Sequence, residues 1–325
     1  MGEFELIDRF FRRERAGRGV ALGIGDDCAL LAPAAGMQLA VSSDLLLEGR
    51  HFFADVDPRR LGHKALAVNL SDLAACGARP LGFTLALALP QADEAWLAPF
   101  ARGLFALADE HGCALVGGDT TRGPLAICIT VFGEVPAGQA LLRSGARAGD
   151  DLYVSGTLGD ARLALEVLRG TVQVPAPIFA AARERLEQPT PRVALGQALR
   201  GIATAAIDVS DGLLGDLGHV LGQSHVGARI DTTAALDRLA ARHAVAPGLP
   251  DEDQQLAWVL AGGDDYELAF TAPASRRDAV AAAAAAVATP VAHIGRIEAE
   301  PGVRLVDGTG RPVSAPVTGG FDHFA

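Results

Sequence analysis

The sequence predicts a two-domain protein, with an α+β first half followed by a second half in which strands and helices alternate. The chain of 325 residues is long enough for two domains, and half of its residues are hydrophobic, which allows a large core. Short apolar strands recur between segments with helical spacing from Met37 onwards. The pattern starts again near Asp150, after a linker at Pro136–Ala140. We therefore predict domains at 1–140 and 141–325.

The first half contains two predicted helices among its strands. One helix starts at Asp57 and the other covers Ala92–His111. The strands are predicted at Met37–Ser43, Phe83–Leu89, Ala114–Val116 and Leu125–Val135. We expect a β–α–β–β–α–β-like α+β domain with mixed strand pairing.

The first of these helices has clear start and stop signals. Asp57 is a good N-cap, Pro58 a good first helical residue, and Gly77 a good stop. Apolar residues cover nearly every side of its C-terminal half, so we expect it to be buried all round. An ionised Asp72 there costs several kcal/mol unless a metal or an arginine compensates it. Taken alone, Asp72 is explained equally well by a hydrogen bond to a loop backbone.

The second half of the chain also alternates between predicted strands and predicted helices. Its predicted strands are Asp151–Ser155, Ala203–Val209 and Val226–Ile230, and its predicted helices are Gly159–Leu168, Thr233–Ala244 and the alanine-rich Ala279–Ala288. Residues 171–192 are rich in proline and charge, and Val193–Leu199 is predicted to be helical or looped.

Composition excludes several classes of protein. A net charge of −11 argues against a surface that binds nucleic acid or an anionic membrane. The N-terminus lacks the apolar core of a signal peptide, and no apolar run reaches the ~20 residues that span a bilayer. The four cysteines have neither CxxC spacing nor disulfide-rich density, so we expect reduced and mostly buried thiols. The sequence thus predicts a cytoplasmic protein.

Lys64 is the only lysine in the chain, and all other basic residues except histidine are arginines. Because Lys64 follows Gly-His, a phosphate-binding loop of the GxxxxGK[ST] type is impossible. Metal ions and arginines must therefore balance the phosphates of any bound nucleotide.

Acidic residues follow several of the predicted strands. Ser42–Asp44, Gly117–Thr120 and Asp208–Asp211 each combine aspartate with small or hydroxyl residues, at the strand ends where ligands collect. Gly23–Asp27 is a poor dinucleotide fingerprint, because Cys28 replaces the third glycine and two acids occupy the loop. It suits a loop that supplies a metal ligand, with an acidic surface turn as the alternative.

Six aspartates share this pattern of small or hydroxyl neighbours. They are Asp27, Asp44, Asp72, Asp119, Asp208 and Asp211. If even four of them converge, their mutual repulsion requires divalent cations or raised pKa values. Hard oxygen ligands favour Mg²⁺ over zinc, and several Mg²⁺ ions with arginines are what a lysine-poor phosphoryl-transfer site requires.

Seven motifs, in order and over nearly the whole chain, resemble those of the thiamine-monophosphate kinase family. The motifs are Gly23–Asp27, Ser43–Phe52, Asn69–Ala75, Gly117–Thr120, Leu142–Gly145, Asp208–Leu213 and Gly262–Leu268. The resemblance implies an aminoimidazole-ribonucleotide-synthetase-like fold. Its N-terminal α+β domain pairs with its twin to form a β-barrel across a homodimer, and its C-terminal domain is α/β. It also implies ATP-dependent phosphorylation of thiamine monophosphate to thiamine diphosphate.

The resemblance also implies roles for individual residues. Ligands of several Mg²⁺ ions are Asp27, Ser42, Ser43, Asp44, Asp72, Asp119, Asp208 and Asp211. The nucleotide is contacted by Gly118, Asp119, Arg143 and Ser210, and the substrate by His51, Asp264 and Phe321. The catalytic residues are Asp72, Asp211 and Arg143. The number of Mg²⁺ ions and the participation of K⁺ stay open.

The chain departs from the family at four positions. The family usually has Glu where Asp264 stands, which makes that contact shorter or water-bridged, and Trp is common where Phe321 stands. An aromatic residue, often Tyr, is frequent at His111, so adenine stacking there stays open. Cys76 often corresponds to Met, and we expect it to serve packing only.

The expected mechanism is direct in-line attack by the phosphate of thiamine monophosphate on the γ-phosphorus of ATP. The attacking oxygen is already anionic, so no general base is needed. The rival readings are formylglycinamidine-ribonucleotide or selenophosphate synthetase-like enzymes, and a metal-bound nucleotide sensor without turnover. Selenophosphate chemistry requires a reactive cysteine in a glycine-rich loop, whereas Cys28 follows the acids of its loop.

Overall fold

The computed structural model describes residues 2–13, 17–244 and 248–314. The contacts divide the chain into two compact units. The first comprises Met1–Leu73 and Ala78–Ala140, and the second comprises Ala74–Gly77 and Leu141–Ala325. The main sheet of the first unit has four strands and the sheet of the second has six.

The first unit begins with a short helix and a small hairpin, followed by the main sheet and two long helices. In chain order, the elements are α1 (Glu3–Leu6), a π-helical turn (Ile7–Phe11), β1 (Val20–Leu22), β2 (Leu30–Leu31), β3 (Met37–Leu47), α2 (Pro58–Ala75), β4 (Arg79–Leu89), α3 (Glu94–His111), β5 (Ala114–Arg122) and β6 (Ala126–Pro136). From β3 onwards the order is β–α–β–α–β–β, which corrects the predicted β–α–β–β–α–β order.

The main sheet of the first unit has the strand order β3-β6-β4-β5. β6 is antiparallel to both β3 and β4, whereas β4 and β5 are parallel. The expected mixed pairing is confirmed. β3 and β5 are longer than predicted, so Asp44 and Asp119 lie within strands rather than after them. The backbone hydrogen bonds between neighbouring strands continue through these residues because they do not depend on apolar side chains.

Helix α2 begins and ends where the sequence predicts. The side chain of Asp57 accepts a hydrogen bond from the backbone N–H of Arg59, at 2.8 Å. At the other end Gly77 has φ +66°, and the N–H of Ala78 donates to the carbonyl of Leu73. This left-handed glycine closes the helix in a Schellman motif.

The expected burial of α2 is largely confirmed. Leu66, Leu70 and even Asn69 and Ser71 are at most 1% exposed, while Asp72 is half-buried. The expectation for the thiols is wrong in two cases: Cys28 and Cys76 are exposed, Cys128 is half-buried and only Cys113 is buried. Cys76 follows the last helical residue, where the chain leaves the buried helix, so it does not serve core packing.

The second unit alternates strands and helices around its sheet. Its elements are β7 (Asp150–Ser155), α4 (Asp160–Leu168), α5 (Ala176–Glu187), α6 (Val193–Ala198), β8 (Ala205–Val209), α7 (Leu213–Ser224), β9 (Gly227–Asp231), α8 (Thr232–Leu236), a 3-10 turn (Ala240–Ala244), α9 (Glu252–Ala261), β10 (Glu267–Pro273), a second 3-10 turn (Ala274–Arg276), α10 (Arg277–Ala286), β11 (Val291–Glu298) and β12 (Gly302–Val306).

The strand order of this sheet is β12-β9-β11-β7-β10-β8, with β12 and β9 parallel and the other pairs antiparallel. The proline- and charge-rich segment at 171–192 contains helix α5, which the sequence did not predict. The single helix predicted at Thr233–Ala244 is instead α8 and a 3-10 turn, while the helix in the alanine-rich run is confirmed as α10. No helix in the described ranges is long and apolar enough to cross a membrane.

Two glycines allow helices α2 and α3 to approach closely. A Cβ atom at Gly103 would lie 1.8 Å from the carbonyl oxygen of Arg59, and one at Gly62 would lie 2.1 Å from that of Phe100. Real Cβ atoms cannot come this near to backbone oxygens, so any larger residue must push the helices apart. The helix that carries Asp72 is thus held by glycine contacts at its N-terminal half.

We predict that Gly103→Ala destabilises the protein by about 1–3 kcal/mol through overpacking, although alanine is the better helix former. Gly218→Ala is the matched control, because Gly218 also lies in a helix and has no atom within 4 Å of its Cβ position. This control should stabilise the protein by up to about 1 kcal/mol. Urea denaturation measures both changes, and equal stability of the two variants would contradict the packing explanation.

Candidate active site

Ser42 and Asp72 meet on the inner side of the first unit's sheet. The hydroxyl of Ser42, on β3, donates to Oδ2 of Asp72, on α2, at 2.5 Å. A hydroxyl donor stabilises the ionised form of a half-buried carboxylate. The sequence left two kinds of partner for Asp72, a cation or a loop backbone. The structure shows a further one, a side-chain hydroxyl from the neighbouring strand.

Asn69 links the same strand and helix. Its Oδ1 accepts from the backbone N–H of Asp44 at 3.2 Å, and its Nδ2 donates to the carbonyl of Ala65 at 3.1 Å. Asn69 is almost completely buried, so both bonds are shielded from water. The residue belongs to a recognised motif but was not among the predicted site residues. Its role is to fix where Asp44 lies relative to α2.

The side chain of Ser43 lies on the opposite face of the sheet from that of Ser42, because successive strand residues alternate. Its hydroxyl is 3.0 Å from Oγ1 of Thr130 and 3.6 Å from Sγ of Cys128, and donates to the carbonyl of Ile129 at 3.2 Å. The structure thus brings Ser42, but not the side chain of Ser43, to Asp72. Any contribution of Ser43 to that side must come from its main chain.

Asp27 and Asp119 are both exposed. Asp27 lies in the segment between β1 and β2, and its N–H donates to Oδ1 of Asp26 at 2.9 Å. Asp119 lies on β5 opposite Ala86 of β4. The preceding Gly118 has φ +150°, and a Cβ atom there would lie 1.9 Å from the carbonyl oxygen of Leu85. Only glycine fits at that position.

His51 is fixed by the turn after β3. Its Nδ1 accepts a hydrogen bond from the backbone N–H of Leu47 at 3.0 Å. In the neutral ring the proton is therefore on Nε2, which makes that nitrogen a hydrogen-bond donor. Such a donor suits an anionic group of a ligand.

In the second unit, Asp216 organises the turn that follows β8. Its Oδ2 accepts from the backbone N–H groups of Ser210 and Asp211, each at 3.0 Å. Burial raises the pKa of the Asp216 carboxyl to about 7, and the charge of Asp211 adds to this, while the backbone hydrogen bonds oppose it. Asp216 lies beyond the motif that ends at Leu213, and we did not identify it from the sequence. A carboxylate in the first turn of the following helix is the signal that points to it.

Asp208 precedes this turn in sequence, and Asp264 contacts it from another segment. Asp208 is buried near the end of β8, within the predicted strand, and is paired with Leu268 of β10. Asp264 has φ +61°, which is unusual for a residue other than glycine, and its N–H donates to the carbonyl of Ser210 at 2.8 Å. The structure thus brings Ser210, Asp211 and Asp264 into one loop cluster.

Three other predicted positions need separate description. Arg143 is exposed, and its carbonyl accepts from the hydroxyl of Ser224 at 3.2 Å. His111 is half-buried at the C-terminus of α3, and burial lowers its pKa. Adenine stacking by His111 stays a prediction. Phe321 lies outside the described residues.

The donors proposed as metal ligands are all oxygen atoms of aspartate and serine. Hard oxygen donors fit Mg²⁺ rather than zinc, and the Ser42–Asp72 pair places two of them within hydrogen-bond distance. Among the described residues no group of three or more His, Cys, Asp or Glu side chains is arranged to hold a metal ion. The chemistry of the donor set thus fits Mg²⁺, while a complete set of ligands stays a prediction.

Comparison with known proteins covers nearly the whole chain. Residues 25–135 match the family model "AIR synthase related protein, N-terminal domain", and residues 147–308 match "AIR synthase related protein, C-terminal domain". The thiamine-monophosphate kinase of Salmonella typhimurium is 49% identical over 100% of this chain and 98% of that protein.

Two solved structures are also similar. The crystal structure of thiamine-monophosphate kinase from Stenotrophomonas maltophilia K279a has a TM-score of 0.82 and 45% identity, and the match covers 95% of this chain and 96% of that one. A structure described as AaThiL complexed with AMPPCP and TMP has a TM-score of 0.74 and 28% identity, and the match covers 99% of this chain and 97% of that one.

The hydrogen bonds of Asp216 lead to a structural prediction. Asp216→Ala leaves two backbone N–H groups without their acceptor, so we expect a loss of about 1–3 kcal/mol in the free energy of unfolding. Amide hydrogen exchange at Ser210 and Asp211 should accelerate, whereas Asp216→Asn, which keeps one acceptor oxygen, should have a smaller effect.

Asp231→Ala is the matched control. Asp231 caps α8 by accepting from the N–H groups of Thr233 and Ala234. This variant should lose similar stability while exchange at Ser210 and Asp211 stays at the wild-type rate. Unchanged exchange at both amides in Asp216→Ala would show that Asp216 does not order the turn.

Proposed function

We infer that this chain, which belongs to the thiamine-monophosphate kinase family of AIR synthase related proteins, catalyses ATP-dependent phosphorylation of thiamine monophosphate to thiamine diphosphate. The observation that carries this inference is the similarity to thiamine-monophosphate kinases along the entire chain, at 49% identity for one relative. That relative matches over 100% of this chain, so the region of similarity contains all seven motifs.

The reaction is a direct in-line transfer. The phosphate of thiamine monophosphate is anionic at neutral pH, so its oxygen attacks the γ-phosphorus of ATP without a general base. The bond from the γ-phosphorus to the β,γ-bridging oxygen breaks, and ADP leaves. No covalent enzyme intermediate is needed. The protein therefore has to position two anions and stabilise the charge between them.

Asp72, Asp211 and Arg143 are the proposed catalytic residues. Mg²⁺ ions, when bound, neutralise phosphate charge and align the attacking and leaving oxygens. The residues that would hold these ions are Asp27, Ser42, Ser43, Asp44, Asp72, Asp119, Asp208 and Asp211. Asp72 acts as a ligand rather than a base, and its ionised form is supported by the hydroxyl of Ser42. A role for K⁺ stays open.

We assign four residues to ATP: Arg143, two residues of β5, and Ser210 in the turn after β8. The exposed guanidinium of Arg143 can bind phosphate oxygens in a bidentate manner. Gly118, Asp119 and Ser210 are the other proposed nucleotide contacts. The absence of a side chain at Gly118 is also required by the approach of β5 to β4, so the residue serves the sheet as well.

The three proposed substrate contacts each recognise a different part of thiamine monophosphate. His51 donates from Nε2 to the substrate phosphate, because its Nδ1 already accepts from Leu47. Asp264 accepts from the aminopyrimidine, and Phe321 stacks on a ring of the thiamine moiety. These three contacts would distinguish thiamine monophosphate from other phosphate esters.

Exposed apolar side chains on β3 support a homodimer. Leu39, Val41, Leu45 and Leu47 lie on the outer face of this edge strand and are 38–56% exposed. Contiguous exposed apolar residues on an edge strand are typical of an interface. We propose that this face pairs with the same face of a second copy to close a β-barrel. The first domain then serves ATP and Mg²⁺ binding and dimerisation.

The function is tested by incubating the protein with Mg²⁺, ATP and thiamine monophosphate, with detection of thiamine diphosphate by mass spectrometry. Product formation supports the proposal. A folded protein that binds ATP and forms no product would contradict it, and would favour a related synthetase activity or a nucleotide sensor. The cytoplasmic location predicted from the sequence remains a prediction.

Asp72→Asn should lower kcat by about a hundredfold or more, as expected when a group that stabilises transition-state charge is removed. The amide oxygen still accepts from Ser42, so the free energy of unfolding should change by no more than about 1 kcal/mol. Asp278→Asn, at an exposed aspartate in the first turn of α10, is the control and should keep wild-type activity. Wild-type kcat in Asp72→Asn would overturn the assignment of Asp72.

Val41→Glu should convert the proposed dimer into monomers. A charge placed in an apolar interface costs at least about 3 kcal/mol, which raises the dimer Kd by roughly a hundredfold. Val303→Glu is the control, because Val303 is an exposed valine on β12 of the second unit. Sedimentation velocity over a range of concentrations measures the association. A wild type that is monomeric throughout would contradict the dimer.

A further inference from the structure

The segment that carries Asp264 has an unusual backbone. Gly263, Asp264 and Tyr266 all have positive φ values, of +71°, +61° and +50°. Left-handed residues other than glycine cost of order 1 kcal/mol or more each, and they persist only where surrounding contacts enforce them. The N–H groups of Asp264 and Tyr266 donate to the carbonyls of Ser210 and Val209, each at 2.8 Å. The segment is thus held against the end of β8.

The two acids that alternate with Asp264 and Tyr266 are buried. Asp265 is 1% exposed, and both of its carboxylate oxygens accept from the N–H of Gly159, at 3.0 and 3.1 Å. Glu267 is completely buried, whereas Asp264 and Tyr266 are half-buried. The segment therefore has an anchored side and a partly open side, and Asp264 lies on the open side.

Glu267 is bound by three side chains from elsewhere in the second unit. Its Oε1 accepts from Nη2 of Arg185 at 2.8 Å and from Nη2 of Arg192 at 2.6 Å. Its Oε2 accepts from Nε of Arg192 at 2.6 Å and from the hydroxyl of Ser155 at 2.5 Å. A fully buried carboxylate needs this degree of compensation.

Arg185 contacts both the main chain and the side chains of the anchored side. The same Nη2 that binds Glu267 also donates to the carbonyl oxygen of Asp265, at 3.0 Å. Arg185 therefore fixes the peptide between Asp265 and Tyr266, one residue after Asp264. Arg192 binds Glu267 in a bidentate manner, so the charge of Glu267 stays compensated if Arg185 is removed.

We propose that Arg185, together with Glu267, is a positioning residue for substrate recognition: it holds the left-handed segment so that Asp264 faces the aminopyrimidine of thiamine monophosphate. This inference rests on the proposed function. A buried ion pair contributes little net stability compared with well-packed apolar residues, so its value lies in the one backbone arrangement that it selects. The consequence is a selective effect on thiamine monophosphate and not on ATP.

The test compares Arg185→Met with Arg183→Met in steady-state kinetics. Arg183 lies on the same helix, α5, and forms an ion pair with Glu187. Arg185→Met should raise the KM for thiamine monophosphate by about tenfold or more, since a misplaced binding group can cost up to about a hundredfold. It should leave the KM for ATP within about twofold of the wild-type value. Arg183→Met should leave both KM values within twofold of the wild type.

A double variant shows whether Arg185 acts through Asp264. If it does, Asp264→Ala and Asp264→Ala/Arg185→Met should have the same KM for thiamine monophosphate, because the second change has nothing left to misplace. Additive effects, an unchanged KM in Arg185→Met, or a parallel rise in both KM values would overturn the inference.

Two further measurements cover the cases in which Arg185→Met does not fold or the wild type is inactive. If Arg185→Met does not fold by circular dichroism, Ser155→Ala replaces it under the same criteria, since Ser155 donates to Glu267 without carrying a charge. The wild type is assayed alongside. If it forms no thiamine diphosphate, the proposed function fails, whereas an active wild type with a normal KM in Arg185→Met contradicts the positioning role alone.

Discussion

The removal of carboxylates from water is the constraint on which the rest of this structure depends. Three buried or half-buried acids show specific compensating partners. Asp72 has the hydroxyl of Ser42, Asp216 has two backbone N–H groups, and Glu267 has two arginines and a serine. Two guanidinium groups and a hydroxyl satisfy the carboxylate of Glu267, which makes it a structural acid. Asp72, in contrast, is a proposed metal ligand that also accepts a hydrogen bond from the hydroxyl of Ser42.

The elements that the sequence predicted well are those with local signals. Helix α2 begins at Asp57-Pro58 and ends at Gly77 because capping and left-handed glycine geometry involve residues close in sequence. The ends of β3 and β5 were misplaced, since a strand continues for as long as its neighbour offers hydrogen bonds. That neighbour is not visible in a local pattern. Helix α5 was not predicted either, because its segment is rich in proline and charge and a helix in a protein owes most of its stability to tertiary packing.

The candidate site shows the same difference between what local sequence signals predict and what only the tertiary fold determines. The motifs predict which stretches carry the chemistry, but not which face of the sheet each side chain lies on. Ser42 and Ser43 are adjacent, yet only Ser42 reaches Asp72, because strand residues alternate. The role of Glu267 depends on Arg185 and Arg192, which are 82 and 75 residues away in sequence. Long-range pairs of this kind follow from the tertiary fold, so a single sequence cannot reveal them.

The fixed backbone of residues 263–266 also explains why the presence of aspartate at position 264 matters. The resemblance to the thiamine-monophosphate kinase family implies that glutamate is usual at this position, and glutamate is longer by one methylene, or about 1.5 Å. A mobile loop could move inward to recover this reach. Here the N–H of Asp264 is bound to the carbonyl of Ser210, and the carbonyl of Asp265 is bound to Arg185, so the main chain cannot advance without breaking both bonds. In the proposed substrate contact, the shorter side chain would therefore leave a gap, which a bridging water would fill at little enthalpic cost. On this proposal, substrate selectivity at position 264 depends on the rigidity of the segment more than on the length of its acid.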